Sequence, residues 1–350
     1  MKNISQLDKN FQVVEAVEDG MAFYDVDGEP FKVYGLLRHE DYYCRMPAAV
    51  AAATSEGVAE LNGNTAGGRV RFVTDSTEIA IRAEMHQICR VSHCTLTGTA
   101  GFDMYVDGGN GDYYAHTFVP PYGMTDGYSG SRNMGTSRPR VITINFPLYS
   151  GVKRLLVGVK EGAMLAPAPA YRVEKPVVYY GSSITQGGCA SRPGTCYEAI
   201  ISRLLGCNYI NLGFSGNARG EAAVAEHIAG LDMSAFVLDY DHNAPSVEHL
   251  AESHPRMFRT VREKHPDLPI LMMSAPMASL SGNWPARLAV IRRTFEEAKA
   301  AGDKNVYLLA GAEMISARNA ETWSVDGIHP NDNGFTDMAH AVADVMKNIL

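Results

Sequence analysis

Hydrophobic residues follow one pattern up to about residue 165 and a different pattern beyond it. In the first part they form short runs, several of which alternate with polar residues, and Gly, Asp, Asn or Pro separates one run from the next. Alternation with a period of two predicts strands that bury one face, and closely spaced turn residues favour an antiparallel sandwich. The predicted strands lie at 31–38, 69–75, 78–85, 101–109, 113–120 and 140–148, with loops at 62–68 and 120–138.

Beyond a proline-rich stretch, continuous apolar strands alternate with amphipathic helices. This pattern is typical of a parallel sheet that helices cover on both faces. The strands are predicted at 176–181, 207–213, 235–240, 269–274 and 305–310, and the helices at 197–205, 221–231, 246–264, 286–301 and 334–349. The predicted fold class is therefore α/β, a three-layer parallel sheet preceded by an all-β sandwich. We place the sandwich domain at 1–165, a linker at 166–175 and the second domain at 176–350.

Charge and composition narrow the function classes. The chain has 350 residues, of which 31 are Lys or Arg and 39 are Asp or Glu, so its net charge is −8. This balance argues against nucleic acid or an anionic membrane as a partner. No apolar run approaches the roughly 18 residues that cross a bilayer, and the polar first eleven residues contain no signal-peptide core. We therefore expect a cytoplasmic protein, or a secreted or periplasmic one if a signal sequence has been removed.

Six cysteines are too few for a disulfide scaffold in a chain of this length. Cys189 and Cys196 are close enough in sequence to bridge one loop, and the sequence leaves their redox state open. A separate segment, 86–94, has the residue types of a zinc site: His86, Cys89, His93 and Cys94. It lies in strand-like sequence, where neighbouring side chains point to opposite faces, so we predict buried thiols and strand histidines rather than a metal site.

Polar and glycine residues follow three of the predicted strands at their carboxyl ends, the edge where open parallel sheets form their sites. Ser182 and Ser183 follow the first strand, 211–217 ends the second, and 239–245 ends the third. A serine at the start of a helix can act as a nucleophile, but it can equally cap the helix. The glycines of 211–217 allow a ligand to approach the backbone closely, although an ordinary turn would also explain them.

A further polar segment, 326–330, precedes the last predicted helix. Asp326 stands three residues before His329, so its carboxylate can orient the imidazole, and the imidazole can act as a general base. A surface histidine with no such role is the alternative. The neighbouring glycine and proline indicate a loop at the expected edge of the sheet.

These four segments, taken in order, resemble the sequence blocks of the SGNH (GDSL-type) hydrolases over about 176–350. The segments read GSSI at 181–184, NLGFSGN at 211–217, DYDHNAP at 239–245 and DGIHP at 326–330. The resemblance implies a flavodoxin-like catalytic domain. Two departures affect the contacts around the site: Ser182 stands where the family often has aspartate, and Asp-His-Asn-Ala at 241–244 replaces its G-x-N-D.

The resemblance also implies a role for each matching residue. Ser183 is the nucleophile, His329 is the general base, and Asp326 orients the histidine. The oxyanion donors are the backbone N–H groups of Ser183 and Gly216 and the side-chain amide of Asn243. No metal or organic cofactor is required.

A second, shorter resemblance lies in the sandwich part. Residues 101–105 read GFDMY and are similar to the G-x-D-L-Y motif of an N-terminal domain in a two-domain subgroup of the same family. This similarity implies a jelly-roll-like sandwich in front of the hydrolase domain.

Four further side chains are candidates for a substrate pocket: Tyr240, His242, Trp284 and Trp323. Both tryptophans lie in predicted loops near the strand ends, where an indole can stack on a sugar or line an acyl pocket. Simple anchoring of the loops is the alternative.

The function expected is that of a serine esterase that removes a short acyl group, foremost acetyl, from a carbohydrate or another small hydroxylated compound. The alternatives are an acyltransferase with the same catalytic residues and an inert protein that binds glycans. The partner expected is a small-molecule or carbohydrate ester, and the sequence leaves a homo-oligomer open.

Overall fold

The computed structural model describes residues 4–13, 16, 19–107, 112–276 and 283–350. The strands of the first half are β1 (Met21–Asp25), β2 (Lys32–Tyr34), β3 (Leu37–His39), β4 (Tyr42–Cys44), β5 (Arg69–Thr74), β6 (Glu78–Gln87), β7 (Phe102–Asp107), β8 (Asp112–Phe118), β9 (Gly127–Asn133), β10 (Arg140–Asn145), β11 (Gly151–Lys160) and β12 (Leu165–Ala166). Its helices are α1 (Ile4–Leu7), α2 (Ala48–Thr54), α3 (Glu56–Asn62) and α4 (Leu96–Thr99).

The second half alternates strands and helices. Its strands are β13 (Val173–Gly181), β14 (Cys207–Gly213), β15 (Ala235–Asp239), β16 (Ile270–Met273) and β17 (Val306–Leu309). Its helices are α5 (Ser183–Gln186), α6 (Tyr197–Leu205), α7 (Ala222–Ala229), α8 (Val247–Lys264), α9 (Trp284–Ala300) and α10 (Asp332–Met346). Short 3₁₀ turns lie at Lys9–Phe11, Pro193–Thr195, Asp241–Asn243 and Gly311–Glu313.

Two antiparallel sheets form the sandwich of the first half. One has the order β1-β11-β6-β9, and the other has β12-β5-β10-β7-β8, with β2 on the same edge of β5 as β12. Alternate side chains of both sheets point inward and form a buried apolar core that includes Phe72, Ile81, Ile144 and Val157. The predicted antiparallel sandwich is therefore confirmed.

Three details of the first half differ from the sequence prediction. The predicted loop 120–138 contains β9, whose glycines and serines hide its strand character. Strand β6 ends at Gln87, so the segment with Cys89 and His93 is a loop and not a strand. Helices α1 to α4 and strands β1, β4, β11 and β12 were not predicted. Residues 108 and 109 of the predicted strand 101–109 lie outside the described residues.

A parallel sheet with the order β14-β13-β15-β16-β17 forms the centre of the second half. Successive side chains of β13 face opposite sides: Val177 and Tyr179 pack against α6 and α10, whereas Val178 and Tyr180 pack on the side of α7, α8 and α9. Strands buried on both faces explain the continuous apolar runs in the sequence. The predicted three-layer α/β fold is confirmed, and each predicted strand and helix of this half is present with its ends shifted by at most three residues.

The two halves share a hydrophobic core. Ala51 of α2 and Val58 of α3 are buried in the same apolar cluster as Val224 and Ile228 of α7. The first half therefore covers part of one face of the parallel sheet. The predicted linker, 166–175, overlaps the end of β12 and the beginning of β13.

A buried carboxylate connects the sandwich to the second half. Asp103 has no solvent-exposed surface and accepts hydrogen bonds from Arg192 Nη1 at 2.9 Å, the Gly194 amide at 2.9 Å and Asn145 Nδ2 at 2.8 Å. The hydroxyl of Tyr105 donates to the Gly194 carbonyl at 3.2 Å. A Cβ at Gly194 would lie 2.3 Å from the Tyr105 ring, so only glycine fits there. The motif at 101–105 is thus a joint between the halves.

None of the described helices combines the length and the apolar character needed to span a membrane.

Replacing Asp103 with asparagine is expected to destabilise the fold. The change removes the negative charge that faces Arg192 and turns an amide group toward the N–H of Gly194. Disrupting one partner of a buried ion pair costs several kcal/mol, and because Arg192 remains partly exposed we expect about 2–4 kcal/mol. The free energy of unfolding in urea measures this loss.

Asp41→Asn is the matched control, because Asp41 pairs with Lys153 at 3.1 Å on the exposed surface of the same half. Exposed ion pairs contribute little, so this variant should unfold like the parent protein. Equal stabilities of the Asp103 variant and the control would show that the joint does not hold the halves together.

Candidate active site

Two adjacent serines at the end of β13 have different surroundings. Ser182 is buried, and its hydroxyl accepts a hydrogen bond from the Ile184 amide at 3.2 Å, so it caps the short helix α5. Ser183 is half-buried, and its Oγ lies 2.9 Å from Nε2 of His329. The capping alternative therefore applies to Ser182, while Ser183 faces the histidine.

Close packing fixes the turn that carries Ser183. A Cβ at Gly181 would lie 2.0 Å from Oγ1 of Thr185, and one at Gly213 would lie 2.2 Å from the Gln186 amide nitrogen. Because both glycines lack a side chain, α5 can lie directly against the ends of β13 and β14. The position of Ser183 is thus set by the strand ends.

His329 is held from two sides. Its Nδ1 lies 2.7 Å from Oδ2 of Asp326, and its backbone amide donates to Oδ1 of the same carboxylate at 2.8 Å. Partial burial alone would raise the pKa of Asp326, but the hydrogen bonds from His329 and from the Ile328 amide outweigh it and lower the pKa to about 2. Asp326 is therefore ionised at neutral pH and fixes the ring so that Nε2 faces Ser183.

The three predicted oxyanion donors are the Asn243 side chain and the backbone N–H groups of Ser183 and Gly216. Asn243 Nδ2 donates to the Phe214 carbonyl at 2.9 Å, which holds this side chain against the glycine segment. Gly216 is exposed and has a φ of +70°, the left-handed region that favours glycine. Within the described part of the chain, the backbone N–H groups of Ser183 and Gly216 have no hydrogen-bond partner, so both can donate to a ligand.

Gln186 was not singled out from the sequence, yet it ties these elements together. Its buried side chain donates to Oδ1 of Asn64 at 2.9 Å and accepts from the Ser215 amide at 3.0 Å. These two hydrogen bonds join the sandwich loop at 62–68, the nucleophile helix and the glycine segment. Its helix reads Ser-Ile-Thr-Gln, so the glutamine does not stand out from its polar neighbours in the sequence.

A buried carboxyl group lies beneath the turn. Asp239 Oδ2 accepts hydrogen bonds from Thr185 Oγ1 at 3.1 Å and from the Tyr197 hydroxyl at 3.3 Å. Burial, reinforced by nearby Asp241, raises the pKa of Asp239 to about 8 despite these hydrogen bonds. At neutral pH this carboxyl is mostly protonated.

The four candidate pocket residues separate into two groups. The His242 and Trp284 rings are in contact, with centroids 4.6 Å apart, and Nε2 of His242 is buried without a hydrogen-bond partner among the described residues. Burial lowers the pKa of His242 to about 3, so the ring is neutral at neutral pH. Tyr240 is buried, with its hydroxyl 2.8 Å from Ser253 Oγ, and Trp323 is buried in the apolar cluster that packs against α10. Tyr240 and Trp323 are thus core residues, and the sequence prediction of a pocket role is corrected for both.

The sequence left the redox state of Cys189 and Cys196 open. All six cysteines are free thiols, and Cys196 donates its S–H to the Pro193 carbonyl. The sulfur nearest to Cys189 belongs to Cys94, at 3.6 Å, in the loop that follows β6. The bridge considered between Cys189 and Cys196 is therefore wrong, because Cys189 faces the sandwich half instead.

Residues 174–347 match the GDSL-like lipase/acylhydrolase family, and residues 21–165 match the GxDLY N-terminal domain of SGNH-hydrolase-type esterases. The chain therefore belongs to the GDSL-like acylhydrolases of the SGNH type and carries their GxDLY N-terminal domain. It is a carboxylic ester hydrolase by this membership. The two resemblances seen in the sequence are confirmed.

Several solved structures have the same architecture. A Bacteroides ovatus protein described as a GDSL-like lipase is 28% identical, matches 94% of this chain and 98% of its own, and has a TM-score of 0.84. A salicylyl-acyltransferase from a tetracycline biosynthetic pathway is 19% identical over 95% and 99% of the two chains, with a TM-score of 0.77. An acetyl xylan esterase from the rumen bacterium Butyrivibrio proteoclasticus is 12% identical over 94% and 98%, with a TM-score of 0.60. Among curated proteins none matches the chain.

Asp239→Asn should make stability less dependent on pH. The pKa of Asp239 rises from 3.8 to about 8 on folding, so between these values the folded protein binds a proton that the unfolded chain does not. This contribution to stability is fully present below about pH 4 and is lost as the pH rises through about 8. Asparagine does not titrate, so the variant should gain stability relative to the parent between about pH 5 and about pH 8. The urea midpoints of the variant and the parent, measured at about pH 5 and about pH 8, give this difference in stability.

Asp337→Asn is the control. Hydrogen bonds from Ser316 and Asn319 outweigh partial burial and lower the pKa of Asp337, so it does not titrate in this window. The difference in stability between this variant and the parent should be the same at both pH values. A constant difference for the Asp239 variant as well would contradict a protonated carboxyl beneath the turn.

Proposed function

We propose that this protein is a serine acylhydrolase that removes a short acyl group, foremost acetyl, from a carbohydrate or another small hydroxylated compound. The observation that carries the proposal is the continuous chain of contacts from Ser183 Oγ to His329 Nε2 at 2.9 Å and from His329 Nδ1 to Asp326 at 2.7 Å. This arrangement can transfer a proton from a serine to a histidine that a carboxylate orients.

The reaction has two steps. Ser183 Oγ attacks the ester carbonyl carbon while His329 Nε2 takes the hydroxyl proton and passes it to the departing alcohol oxygen. Water then attacks the acyl-enzyme, gives a proton to His329 and releases the acid, and Ser183 recovers its proton. Asp326 stays ionised throughout, because its pKa of about 2 lies far below neutral pH, and it stabilises the imidazolium.

Negative charge develops on the carbonyl oxygen in both steps. The amides of Ser183 and Gly216, which have no partner among the residues that the structure describes, and the second N–H of Asn243 Nδ2 are the donors for this oxygen. Donors fixed in advance stabilise the transition state more than the ground state, and one of them is typically worth about 100–1,000-fold in kcat.

A groove beside the site supports a carbohydrate as the part that carries the acyl group. Its cavity of about 350 Å³ is lined by Arg90, Val91, Ser92, Cys94, Leu96, Thr99 and Tyr122. Cys94 connects it to the site, because its sulfur lies 3.6 Å from Cys189, and a ligand atom of Cys189 lies within 4.8 Å of one on His329. Tyr122 is 83% exposed, and an exposed aromatic ring next to polar groups is suited to stacking on a sugar. The fold shared with an acetyl xylan esterase is consistent with this substrate class.

The second candidate function is that of an acyltransferase, and the observation behind it is the fold shared with a salicylyl-acyltransferase at a TM-score of 0.77. The first step is the same in both reactions, and only the acceptor of the acyl group differs. An inert glycan-binding protein is disfavoured, because the contacts among Ser183, His329 and Asp326 would then have no use.

The experiment measures acetate release from acetylated xylo- and manno-oligosaccharides and from a small chromogenic acetyl ester. Ser183→Ala should abolish release because no nucleophile remains. Ser182→Ala should retain it and lose about 1 kcal/mol of stability with the helix cap. A serine-reactive phosphonate should label Ser183 in the parent protein.

Labelling of Ser182, or full activity of the Ser183 variant, would contradict the assignment. A competing alcohol in the same assay separates the two reactions: free acetate should remain the main product of an acylhydrolase. Transfer of most of the acetyl to the alcohol at low concentration would favour the acyltransferase.

Tyr122→Ala should affect the carbohydrate substrate selectively. A small chromogenic ester lacks the sugar units that would occupy the groove, so we expect KM to rise several-fold for the oligosaccharide and to stay the same for the small ester. Steady-state kinetics on both substrates measure the contrast.

Asn243→Ala is the matched comparison, and it should lower kcat on both substrates by about 100–1,000-fold, since the donor acts on the reacting carbonyl. An equal loss on both substrates in the Tyr122 variant would assign Tyr122 to the fold rather than to sugar binding.

A further inference from the structure

The loop between β6 and α4 brings two metal-ligand side chains to the edge of the site. The His93 ring lies 5.8 Å from the His329 ring, and the Cys94 sulfur lies 3.6 Å from that of Cys189. One ligand atom from each of His93, Cys189 and His329 lies within 4.8 Å of the other two. The proposed hydrolysis uses neither His93 nor Cys189.

The spacing of these atoms suits a single zinc ion. Zn–S bonds of about 2.3 Å and Zn–N bonds of about 2.0 Å put neighbouring ligands of a tetrahedral site roughly 3.3–3.8 Å apart. Ligand atoms at the 4.8 Å limit must approach one another by about 1 Å, and rotation of the exposed His93 side chain can bring its nitrogen closer to the other two ligand atoms. The sulfurs of Cys94 and Cys189 are 3.6 Å apart, which exceeds the roughly 2.05 Å of a disulfide bond, so the Cys189 thiol is available as a ligand.

The third ligand is already oriented for a metal. Asp326 binds Nδ1 of His329, so the ring nitrogen that a metal would take is Nε2, in place of the contact with Ser183 Oγ. Zinc-binding histidines typically donate their other ring nitrogen to a carboxylate in this way. The imidazole nitrogen that accepts the serine proton is therefore the one that would face the ion.

We propose that His93, Cys189 and His329 form an inhibitory zinc site in which the metal occupies Nε2 of the general base. Binding forms bonds from Zn²⁺ to the two imidazole nitrogens and to the Cys189 thiolate, whose proton passes to solvent. Nitrogen and sulfur ligands select zinc over Mg²⁺ or Ca²⁺. The inhibition rests on the proposed function, but the binding does not.

Titration of the reduced, chelator-treated full-length protein with Zn²⁺ alone, followed by calorimetry, tests the binding. We expect one ion per chain, and affinity that falls by at least about 100-fold in both His93→Ala and Cys189→Ser. His86→Ala is the matched control, because His86 is exposed in the same segment but stacks on Tyr42. Its affinity should equal that of the parent, and Mg²⁺ should give no binding. Co²⁺ should produce a thiolate charge-transfer band that Cys189→Ser removes.

Inhibition is measured separately, with each variant compared with its own activity without zinc. The concentration of Zn²⁺ that halves ester hydrolysis should rise in His93→Ala and Cys189→Ser by the same factor as the loss of affinity. Zinc binding is also measured with the Ser183→Ala variant. Because this measurement needs no enzyme activity, it tests the metal site independently of the proposed function.

Three outcomes would overturn the site. One is an absence of zinc binding to the reduced parent protein. Another is unchanged affinity in His93→Ala together with a loss in Cys94→Ser, which would assign the ion to the pair of sulfurs alone. The third is binding of one ion without any inhibition of an active enzyme, which would leave Nε2 of His329 free.

Discussion

The buried carboxylate of Asp103 is the contact on which the arrangement of the site depends. It fixes Arg192 and Gly194 in the segment that follows the nucleophile helix. The same segment binds the start of α10, because the Ser191 amide and the Thr195 hydroxyl both donate to Asp332 at 2.8 Å. Asp332 stands three residues after His329. The sandwich is thereby connected, through one short segment, to the chain that follows the serine turn and to the helix that begins just after the histidine loop.

Much of the fold could be predicted from the sequence, because the two halves bury their strands differently. Alternation marked the strands of the sandwich, and continuous apolar runs marked the parallel sheet. Helix α2, with its run of alanines, and α3 have no clear apolar stripe, since they are short and pack by small residues such as Ala51. Strand β9 was missed because its sequence, GYSGSRN, consists largely of residues with low strand propensity. Its place in the sheet comes from pairing with β6.

The candidate site was predictable where its residues are close in sequence to a strand end. The segments with Ser183 and Asn243 follow strands whose carboxyl ends a parallel sheet brings to one edge, and Asp326 has a local signature of its own in the loop before α10. Contacts between distant segments have no such signature. The approach of Cys94 to Cys189, 95 residues apart, depends on how the sandwich sits on the second half. Tyr240 was misjudged because its position after a strand suits both a pocket and the core, and only packing decides between them.

The shared core of α2, α3 and α7 has a consequence for the synthesis of the chain on the ribosome. Ala51 and Val58 are translated long before α7, which ends at Ala229. At about 5–20 residues per second, their apolar surfaces remain uncovered for roughly 10–30 s after they leave the exit tunnel. The nascent first half therefore exposes an apolar surface during translation. Termination before α7 would release a fragment that exposes this surface permanently and is prone to aggregate or to be degraded.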